Sequence, residues 1–230
     1  MKAVGYYASL AIASEQSLLD LTLPAPTLRP RDLLVRVHAI SINPVDVKVR
    51  IGTVPPAGEA KILGWDAAGI VEAVGAEVSL YKPGDAVFYA GAIDRPGTNS
   101  ELHAVDERIV GRKPTSLSFP QAAALPLTAI TAWELLFDRL AVPYGVKTET
   151  GTLMIVNGAG GVGSILIQLA RRLTGLTVVA TASRPETIAW VKDMGAHHVI
   201  DHRRPLDEGL KDIGIGEVRY VASLAGTQAH

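Results

Sequence analysis

The sequence contains no cysteine among its 230 residues. The absence of thiols excludes disulfide bonds, thiolate-bound metals, iron–sulfur clusters and a cysteine nucleophile. A chain without disulfides suits a reducing compartment, and we therefore expect a cytoplasmic protein.

Neither sign of charge is in excess. The sequence has 22 Lys and Arg residues against 23 Asp and Glu residues, which gives a formal net charge of −1. No bulk electrostatic field therefore attracts nucleic acid or an anionic membrane surface. We expect neither of them as a partner.

Long apolar runs are also missing. A membrane-spanning helix needs about 18 consecutive apolar residues, and Pro126, Thr128, Thr131 and Glu134 interrupt the best candidate. The first segment, MKAVGYYASLAIAS, has one lysine, an apolar stretch and small residues, as a secretory signal or a first β-strand would. Its polar tyrosine pair and its single positive charge favour the strand.

Up to about residue 120 the sequence has the pattern of a β-rich domain. Val35, Val37 and Ala39 alternate with Arg36 and His38, and this two-residue period is typical of a half-buried strand. Such short segments, separated by turn residues, predict a compact and mostly β domain. We assign this domain to residues 1–122.

A turn and a helix start support this division. The Lys82–Asp85 segment, with Pro and Gly, predicts a turn before a strand over 86–89. Ser118 followed by Gln121 is typical of a capping box and predicts a helix that continues through Phe137. We interpret this helix as the connector to a second domain over residues 123–230.

Beyond residue 151 the sequence alternates strands with helices. Val162, Ile165, Leu166, Leu169 and Leu173 repeat at helical spacing after a buried-strand run. We predict strands over 152–156, 176–181, 198–201 and 218–223, and a helix over 185–194. This alternation requires right-handed crossovers and a parallel sheet, and so predicts an α/β class with a doubly wound, Rossmann-type domain.

The turn after the first of these strands has a glycine pattern. Gly158, Gly160 and Gly163 satisfy G-x-G-x-x-G, with Gly161 and Val162 between them. In such a turn the bare backbone approaches a pyrophosphate, and the helix N–H groups meet its charge. The alternative is a tight turn made only for packing. Its position between a strand and a helix favours a dinucleotide site.

The end of the second strand indicates which dinucleotide. A site for NAD places an acid about 20 residues after the glycines to hold the ribose 2′-hydroxyl, but this sequence has Ser183 and Arg184 there. A hydroxyl and a guanidinium suit a 2′-phosphate, and we predict NADP(H). Alternatively, Ser183 forms a capping box with Glu186, and Arg184 is simply solvated. His202 is either a contact to the adenosine end or a surface histidine.

These motifs carry a family resemblance over the whole chain. Its carriers are MKAVGYY, Asn43-Pro44-Val45-Asp46 with Arg50 and Gly52, LGWDAAGIVEAVG, KPGD, LPLTAITAWELL and the glycine loop. The chain resembles the medium-chain dehydrogenase/reductase superfamily. Within it, the chain is similar to NADPH-dependent quinone oxidoreductases and the related zinc-type alcohol dehydrogenase-like proteins. The resemblance implies a GroES-like first domain and a Rossmann domain, with substrate and nicotinamide meeting in the cleft between them.

The resemblance also gives reasons to expect no metal. Zinc-dependent relatives use Cys, His and Cys, and the matching positions here hold Asn43, Trp65 and a residue near Leu127. The relatives' Gly-His-Glu appears as Gly64-Trp65-Asp66. None of the side chains at the three zinc-ligand positions, Asn43, Trp65 and the position near Leu127, can ligate zinc as those of the relatives do. We therefore predict no metal site.

Without a Lewis acid, nothing obvious holds the alkoxide of a simple alcohol. A quinone or an α,β-unsaturated carbonyl spreads the charge that arrives with a hydride, so hydrogen bonds and positioning suffice. We predict hydride transfer from NADPH to such a small-molecule acceptor. By resemblance, Asn43 orients the substrate oxygen and Thr131 fixes the nicotinamide ring. Asp46 supports this wall together with Arg50, or alternatively transfers a proton.

Three further interpretations follow. Trp65 and Tyr89 are either pocket walls or core residues. A non-catalytic NADPH-binding redox sensor or structural protein would use the same scaffold, although Asn43, Asp46 and Thr131 favour an enzyme. The resemblance implies a homo-oligomer for the intact protein. It also calls for another long segment after the last predicted strand, so we expect the Rossmann domain to be incomplete at its C-terminal end.

Overall fold

The structure is a computed structural model that describes residues 1–148 and 150–224. The chain divides into two compact units, Met1–Leu127 and Thr128–His230. The division lies in the helical region that follows Ser118, close to the boundary that the sequence predicts after residue 122. The assignment of domains to 1–122 and 123–230 stays a prediction.

Unit 1 is mostly β. Its elements are β1 Lys2–Tyr6, β2 Leu19–Thr22, β3 Asp32–Ser41, α1 Pro44–Gly52, β4 Lys61–Ile62, β5 Asp66–Val74, β6 Ala86–Ala90, β7 Leu102–Asp106, a 3₁₀ turn Glu107–Ile109, β8 Gly111–Arg112 and α2 Phe119–Ala123. One sheet has five strands in the order β7-β3-β5-β6-β8, and another has three in the order β2-β1-β4. All of these pairings are antiparallel.

A core cluster of unit 1 lies on one face of the five-stranded sheet, and a smaller cluster around Ala68, Ala122 and Ala123 lies on the other. Leu33 and Val35 of β3 are fully buried, whereas Arg36 and His38 point to solvent. The predicted alternation is therefore confirmed. The buried strand residues that pack together are Leu33, Val35, Ala67, Val71, Val87, Tyr89 and Val105.

The turn before β6 is formed as predicted. Gly84 has a φ of 94°, which a residue with a side chain rarely adopts. The backbone N–H of Lys82 donates to the Asp85 carboxylate at 3.1 Å, and the Asp85 N–H donates to the Lys82 carbonyl at 3.1 Å. These two bonds close the turn.

The helical region after residue 118 differs from the prediction of one helix. Its start is confirmed, because Ser118 caps α2 and Gln121 completes the capping box. A second helix, α3 Pro126–Trp133, then leads into a π-helical turn, Glu134–Arg139. Pro126 has no N–H to donate and disfavours helical backbone at the residue before it. The helix therefore ends and restarts at this proline.

Unit 2 contains a parallel sheet. Its elements after the π-helical turn are β9 Thr152–Val156, α4 Gly161–Leu173, β10 Thr177–Thr181, α5 Pro185–Asp193, β11 His198–Ile200, α6 Leu206–Asp212 and β12 Tyr220–Ser223. The strand order is β11-β10-β9-β12, and every pairing is parallel. The predicted strand and helix alternation is confirmed.

Helices cover both faces of this sheet. Every residue of β9 is buried. Leu153 and Ile155 pack in the cluster that includes α4, whereas Met154 and Val156 pack in the cluster that includes α6. A strand buried on both faces has a continuous apolar run rather than an alternating one. The architecture is α/β and doubly wound, as predicted.

The helices α1 and α6 were not predicted from the sequence. The helix α6 follows Pro205, and its exposed face carries a Lys211–Asp207 ion pair at 2.9 Å. Gly209 within its seven residues weakens the sequence pattern. Across the described residues, no helix is both long enough and apolar enough to cross a bilayer.

Candidate functional site

The glycine loop of unit 2 joins β9 to α4. Asn157 has a φ of 63°, and its N–H donates to Oγ1 of Thr181 at 2.9 Å. The Gly158 N–H donates to the Thr181 carbonyl at 3.2 Å. The end of β10 therefore fixes the shape of the loop that follows β9.

The glycines of this loop have different structural roles. A Cβ at Gly158 would lie 2.8 Å from Cβ of Ala180, and one at Gly163 would lie 2.5 Å from the Gly158 carbonyl oxygen. A Cβ at Gly160 would meet its nearest neighbour, the Asn157 amide nitrogen, only at 3.5 Å. The packing interpretation therefore accounts for Gly158 and Gly163. At Gly160 it gives no reason for the lack of a side chain.

A cavity of about 470 Å³ opens beside the loop. It is lined by Asn157, Ala159, Gly160, Thr181, Ala182, Ser183, Arg184, Thr187 and His202. The structure thus brings together the loop, the two predicted phosphate contacts and the predicted adenosine contact. Gly158, Gly161, Val162 and Gly163 are not among the lining residues. None of the described residues lining the cavity is acidic.

The predicted capping box of Ser183 with Glu186 is wrong. Arg184, not Ser183, is the N-cap of α5. The Arg184 N–H donates to Oγ1 of Thr187 at 3.2 Å, and that hydroxyl donates to the Arg184 carbonyl at 2.9 Å. Because Thr187 does the capping, the Ser183 hydroxyl makes no hydrogen bond within the described residues and is available to a ligand.

Arg184 is exposed and has an acidic partner. Its Nε lies 3.1 Å from Oε1 of Glu186, and both side chains are about two-thirds exposed. An ion pair this exposed contributes little to stability. The guanidinium can therefore exchange this carboxylate for a phosphate at small cost.

The first turn of α4 is anchored through Ser164. Its hydroxyl donates to the Gly160 carbonyl at 2.8 Å and accepts from the indole N–H of Trp190 at 2.8 Å. The helix has 13 residues, and its N-terminal dipole favours an anion at Gly160 and Gly161. Together, the loop, the helix end, the Ser183 hydroxyl and the Arg184 guanidinium form a set of donors that fits phosphate groups.

Unit 1 contains a buried polar network at the predicted catalytic residues. The Asn43 amide Nδ2 donates to Oδ2 of Asp66 at 2.8 Å, and the Leu127 N–H donates to Oδ1 of Asp66 at 2.8 Å. The Asn43 backbone N–H donates to Oδ2 of Asp46 at 2.8 Å. Asn43, Asp46 and Asp66 are all buried. The structure thus brings the predicted residues Asn43 and Asp46 together with Asp66.

Asp46 does not pair with Arg50, contrary to the interpretation from the sequence. Within the described part of the chain no ion pair joins them, and Nη1 of Arg50 donates to the Leu10 carbonyl at 2.8 Å. Asp46 lies at the third position of α1, where its carboxylate caps the helix start. This position supports the structural role of Asp46.

The central member of the network, Asp66, was not among the predicted site residues. Burial, with a smaller contribution from the nearby Asp46 charge, raises the pKa of its carboxyl to about 6, although the hydrogen bonds from Asn43 and Leu127 act to lower it. The signal in the sequence was the Gly64-Trp65-Asp66 motif. Its partners come from distant segments, which no local pattern reveals.

The positions that match zinc ligands do not form a metal site. The Asn43 amide is bonded to Asp66, Leu127 contributes its backbone N–H, and Trp65 is buried against Tyr6. No group of three or more His, Cys, Asp or Glu side chains suitable for a metal occurs among the residues described. The donor chemistry does not fit zinc.

For Trp65 and Tyr89 the structure favours the interpretation as core residues over that as pocket walls. Trp65 and Tyr89 are 3% and 2% exposed, and each lies in a core cluster of unit 1. The hydroxyl of Tyr89 lies 3.1 Å from Nδ1 of His103.

Thr131, the remaining predicted catalytic residue, is exposed on α3 and belongs to unit 2.

Comparison with known proteins matches both units. The family model of the alcohol dehydrogenase GroES-like domain matches residues 29–115, and that of the zinc-binding dehydrogenases matches residues 161–230. A crystal structure from Rhizobium etli, described as a zinc-dependent alcohol dehydrogenase protein, is 55% identical with a TM-score of 0.93. The match covers 100% of this chain and 67% of that one. The chain belongs to the medium-chain dehydrogenase/reductase superfamily.

Other members of the medium-chain dehydrogenase/reductase superfamily are similar. The quinone oxidoreductase of Escherichia coli, solved in complex with NADPH, is 31% identical with a TM-score of 0.78, over 96% of this chain and 65% of that one. A zinc-type alcohol dehydrogenase-like protein from Staphylococcus epidermidis is 41% identical over 96% of this chain. The NADPH-dependent alkenal/one oxidoreductase of Arabidopsis thaliana is 35% identical over 84% of this chain.

The chain is shorter than these curated superfamily members. It spans 65% of the length of the Staphylococcus epidermidis protein and 51% of the Arabidopsis thaliana protein. Membership makes the protein one of an oxidoreductase superfamily with a GroES-like and a Rossmann-type domain.

Proposed function

We propose that the protein binds NADP(H) at the glycine loop of unit 2 and reduces a quinone or an α,β-unsaturated carbonyl without zinc. One observation carries the proposal: a single cavity is lined by Gly160, Ser183 and Arg184, and no acidic side chain is among its described lining residues. A carboxylate there would hold an unmodified ribose and repel a phosphate.

The residues that would hold the cofactor have separate tasks. Backbone N–H groups at Gly161 and Val162, in the first turn of α4, meet the pyrophosphate, with the dipole of α4 behind them. Ser183 donates its hydroxyl and Arg184 its guanidinium to the 2′-phosphate. His202 lines the same cavity and is proposed for the adenosine end. Two relatives support the choice of cofactor, since one is solved with NADPH and the other is named NADPH-dependent.

Bound NADPH supplies the hydride. The chain's own contribution is to bind and orient, because conjugation in the acceptor already spreads the incoming charge. We assign Asn43 to hydrogen bonding with the substrate, Asp46 to holding Asn43 in place, and Thr131 to the nicotinamide. The names of the quinone oxidoreductase and alkenal/one oxidoreductase relatives support this acceptor class. We further propose a cytoplasmic homo-oligomer.

The proposal is tested by mixing the protein with NADPH or NADH and following tryptophan fluorescence, then adding quinones and enones and following the absorbance of the reduced nicotinamide. We expect NADPH to bind more tightly than NADH, and at least one acceptor to be reduced. Binding of NADPH without oxidation by any acceptor would favour the sensor alternative. Equal binding of both coenzymes would contradict the phosphate assignment.

A further inference from the structure

Two hydrogen bonds in series connect α5 to the glycine loop. The indole Nε1–H of Trp190, on α5, donates to Oγ of Ser164 at 2.8 Å, and this hydroxyl donates to the Gly160 carbonyl at 2.8 Å. We call this pair of bonds the Trp190–Ser164 relay. Ser164 is only 8% exposed, so water has little access to the hydroxyl at its centre.

The indole sets the direction of the relay. An indole nitrogen can only donate a hydrogen bond, so the Ser164 oxygen must act as its acceptor. The single hydrogen of the hydroxyl is then directed to the Gly160 carbonyl. Each bond in such a series polarises the next one. The Trp190 N–H therefore strengthens the bond by which Ser164 holds Gly160.

The Gly160 carbonyl has two donors, and they orient the whole peptide group. Besides the hydroxyl, it accepts from the Ser164 backbone N–H at 2.9 Å. No peptide bond is cis in the described part of the chain, and in a trans peptide the carbonyl and the following N–H point in opposite directions. The Gly161 N–H consequently points away from Ser164, out of the N-terminal end of α4. It is one of the first N–H groups of this helix, which have no partner within the helix and can meet an anion.

The relay complements the contacts at the start of the loop. There the N–H groups of Asn157 and Gly158 both bond to Thr181, the last residue of β10. Thr181 thus fixes the first half of the loop, and Trp190 acts on the second half. The N-cap residue of the same helix α5 is Arg184, which lines the cavity beside the loop. One helix therefore contributes to the site at its start and again in its body.

We propose that Trp190 is a positioning residue for the coenzyme pyrophosphate: acting through Ser164, its indole N–H holds the peptide between Gly160 and Gly161 with the Gly161 N–H turned toward the ligand. The inference rests on the proposed function, since it requires a dinucleotide at the glycine loop. Trp190 lies outside both the loop and the residues that line the cavity. The inference assigns it to the part of the coenzyme that NADPH and NADH share.

A purely structural role for the relay makes a different prediction. In that case the two bonds only join α4 to α5, and their loss changes the free energy of unfolding alone. A positioning bond also changes the affinity for any ligand that carries a pyrophosphate. Trp190→Phe separates the two roles, because phenylalanine keeps an apolar ring on α5 and removes only the donor and part of the ring.

The test compares three ligands by isothermal titration calorimetry, which does not depend on a tryptophan signal. NADPH and NADH both carry the pyrophosphate, whereas adenosine 2′-monophosphate carries the 2′-phosphate without it. We expect Trp190→Phe to weaken NADPH and NADH by the same factor, about three- to tenfold, and to leave adenosine 2′-monophosphate within about twofold. Unchanged affinity for both coenzymes would overturn the proposal, and so would an equal loss for all three ligands.

Action through Ser164 is tested by a double-mutant cycle. Ser164→Ala should weaken both coenzymes as Trp190→Phe does, and adding Trp190→Phe to Ser164→Ala should cause no further loss. Gln168→Leu is the matched control, because Gln168 donates to the Ser164 carbonyl at 3.1 Å and not to its hydroxyl. This control should keep both affinities within about twofold. Losses that multiply in the double variant would contradict action through Ser164.

The relay can also be observed without coenzyme. In the ¹⁵N-labelled protein the Trp190 indole proton, assigned by its loss in Trp190→Phe, should exchange slowly with solvent although the residue is 48% exposed. In Ser164→Ala we expect this exchange to become about tenfold faster. Equal exchange in the two proteins would exclude the relay. Should Ser164→Ala fail to fold, the titrations of Trp190→Phe still decide.

These measurements separate the inference from the proposed function. If the unsubstituted protein binds neither coenzyme, the proposed function fails and the inference fails with it. If the unsubstituted protein binds NADPH and Trp190→Phe binds it equally well, only the inference fails. A loss shared by NADPH and NADH supports the inference even if no acceptor is reduced.

Discussion

The glycine loop of unit 2 and the Asn43–Asp66 network of unit 1 arrange their polar groups in opposite ways. At the glycine loop of unit 2 the proposed ligand-binding groups are backbone amides and exposed side chains around an open cavity, and packing beneath the loop fixes their geometry. At the Asn43–Asp66 network of unit 1 the groups are buried side chains that are bonded to one another. The first region therefore depends on shape. The second depends on charge and on hydrogen-bond direction.

The largest expected effect breaks the shape of the loop. Gly163→Ala places a Cβ 2.5 Å from the Gly158 carbonyl oxygen, and we expect a loss of about 2–3 kcal/mol in the free energy of unfolding, together with NADPH binding. Gly160→Ala is the matched control, because its Cβ has room on the protein side but lies at the cavity. It should weaken NADPH binding with little change in urea denaturation. Equal stability of the two variants would contradict the division of roles.

A comparable effect tests the charge dependence of unit 1. Burial lowers the pKa of His103 to about 4, so the unfolded chain binds this proton first and stability falls as the pH falls from about 6.5 to 4. The raised pKa of Asp66 acts in the opposite sense, because the folded state binds its proton first. Stability from Asp66 is present below about pH 4 and is lost as the pH rises through 6. Each contribution is at most about 3 kcal/mol.

The two slopes should largely cancel between pH 4 and 6, and single variants should reveal them. In His103→Phe, urea denaturation should show stability rising as the pH falls, and in Asp66→Asn it should show stability falling. The sign of each slope is the test, since any constant loss from the substitution does not alter it. Slopes of the same sign in both variants would exclude this account.

A smaller effect concerns coenzyme choice. Arg184→Ala should weaken NADPH binding about tenfold and leave NADH binding within about twofold, because only NADPH carries the 2′-phosphate. Arg204→Ala serves as control, since Arg204 is exposed and paired with Asp212 but does not line the cavity. Tryptophan fluorescence measures both affinities. Equal losses for the two coenzymes would remove Arg184 from the phosphate site.

The smallest effect sharpens the same assignment. Glu186 lies 3.1 Å from the Arg184 guanidinium and competes with a phosphate for it. Glu186→Gln should therefore strengthen NADPH binding about two- to fivefold at low salt, and the gain should shrink as salt screens the charge. A gain of the same size for NADH would indicate a different cause.

The comparison also explains what the sequence can predict. The glycine loop lies within one strand–turn–helix unit, so local spacing predicts β9, the loop and α4. Where local signals competed, the prediction failed: Ser183 and Glu186 resembled a capping box, but Thr187 caps α5 because the helix begins at Pro185. The helix after Ser118 was predicted too long, because apolar periodicity continues across Pro126.

The network in unit 1 was only half predicted for a related reason. Asn43 and Asp46 lie in one short motif, but Asp66 reaches them from another strand, and Leu127 reaches Asp66 from a third segment. Contacts between residues so far apart in sequence leave no periodicity. The predicted Asp46 and Arg50 pair had helical spacing, yet Arg50 turns instead to the Leu10 carbonyl.

The left-handed backbone of Asn157 has a consequence for kinetics. Its φ of 63° and its bond to Thr181 set the curvature of the loop through contacts within the protein itself. Association then needs no slow rearrangement, so the observed rate should rise linearly with coenzyme concentration and show one exponential phase. The loop therefore acts as a preformed binding surface rather than as a segment that closes over the coenzyme.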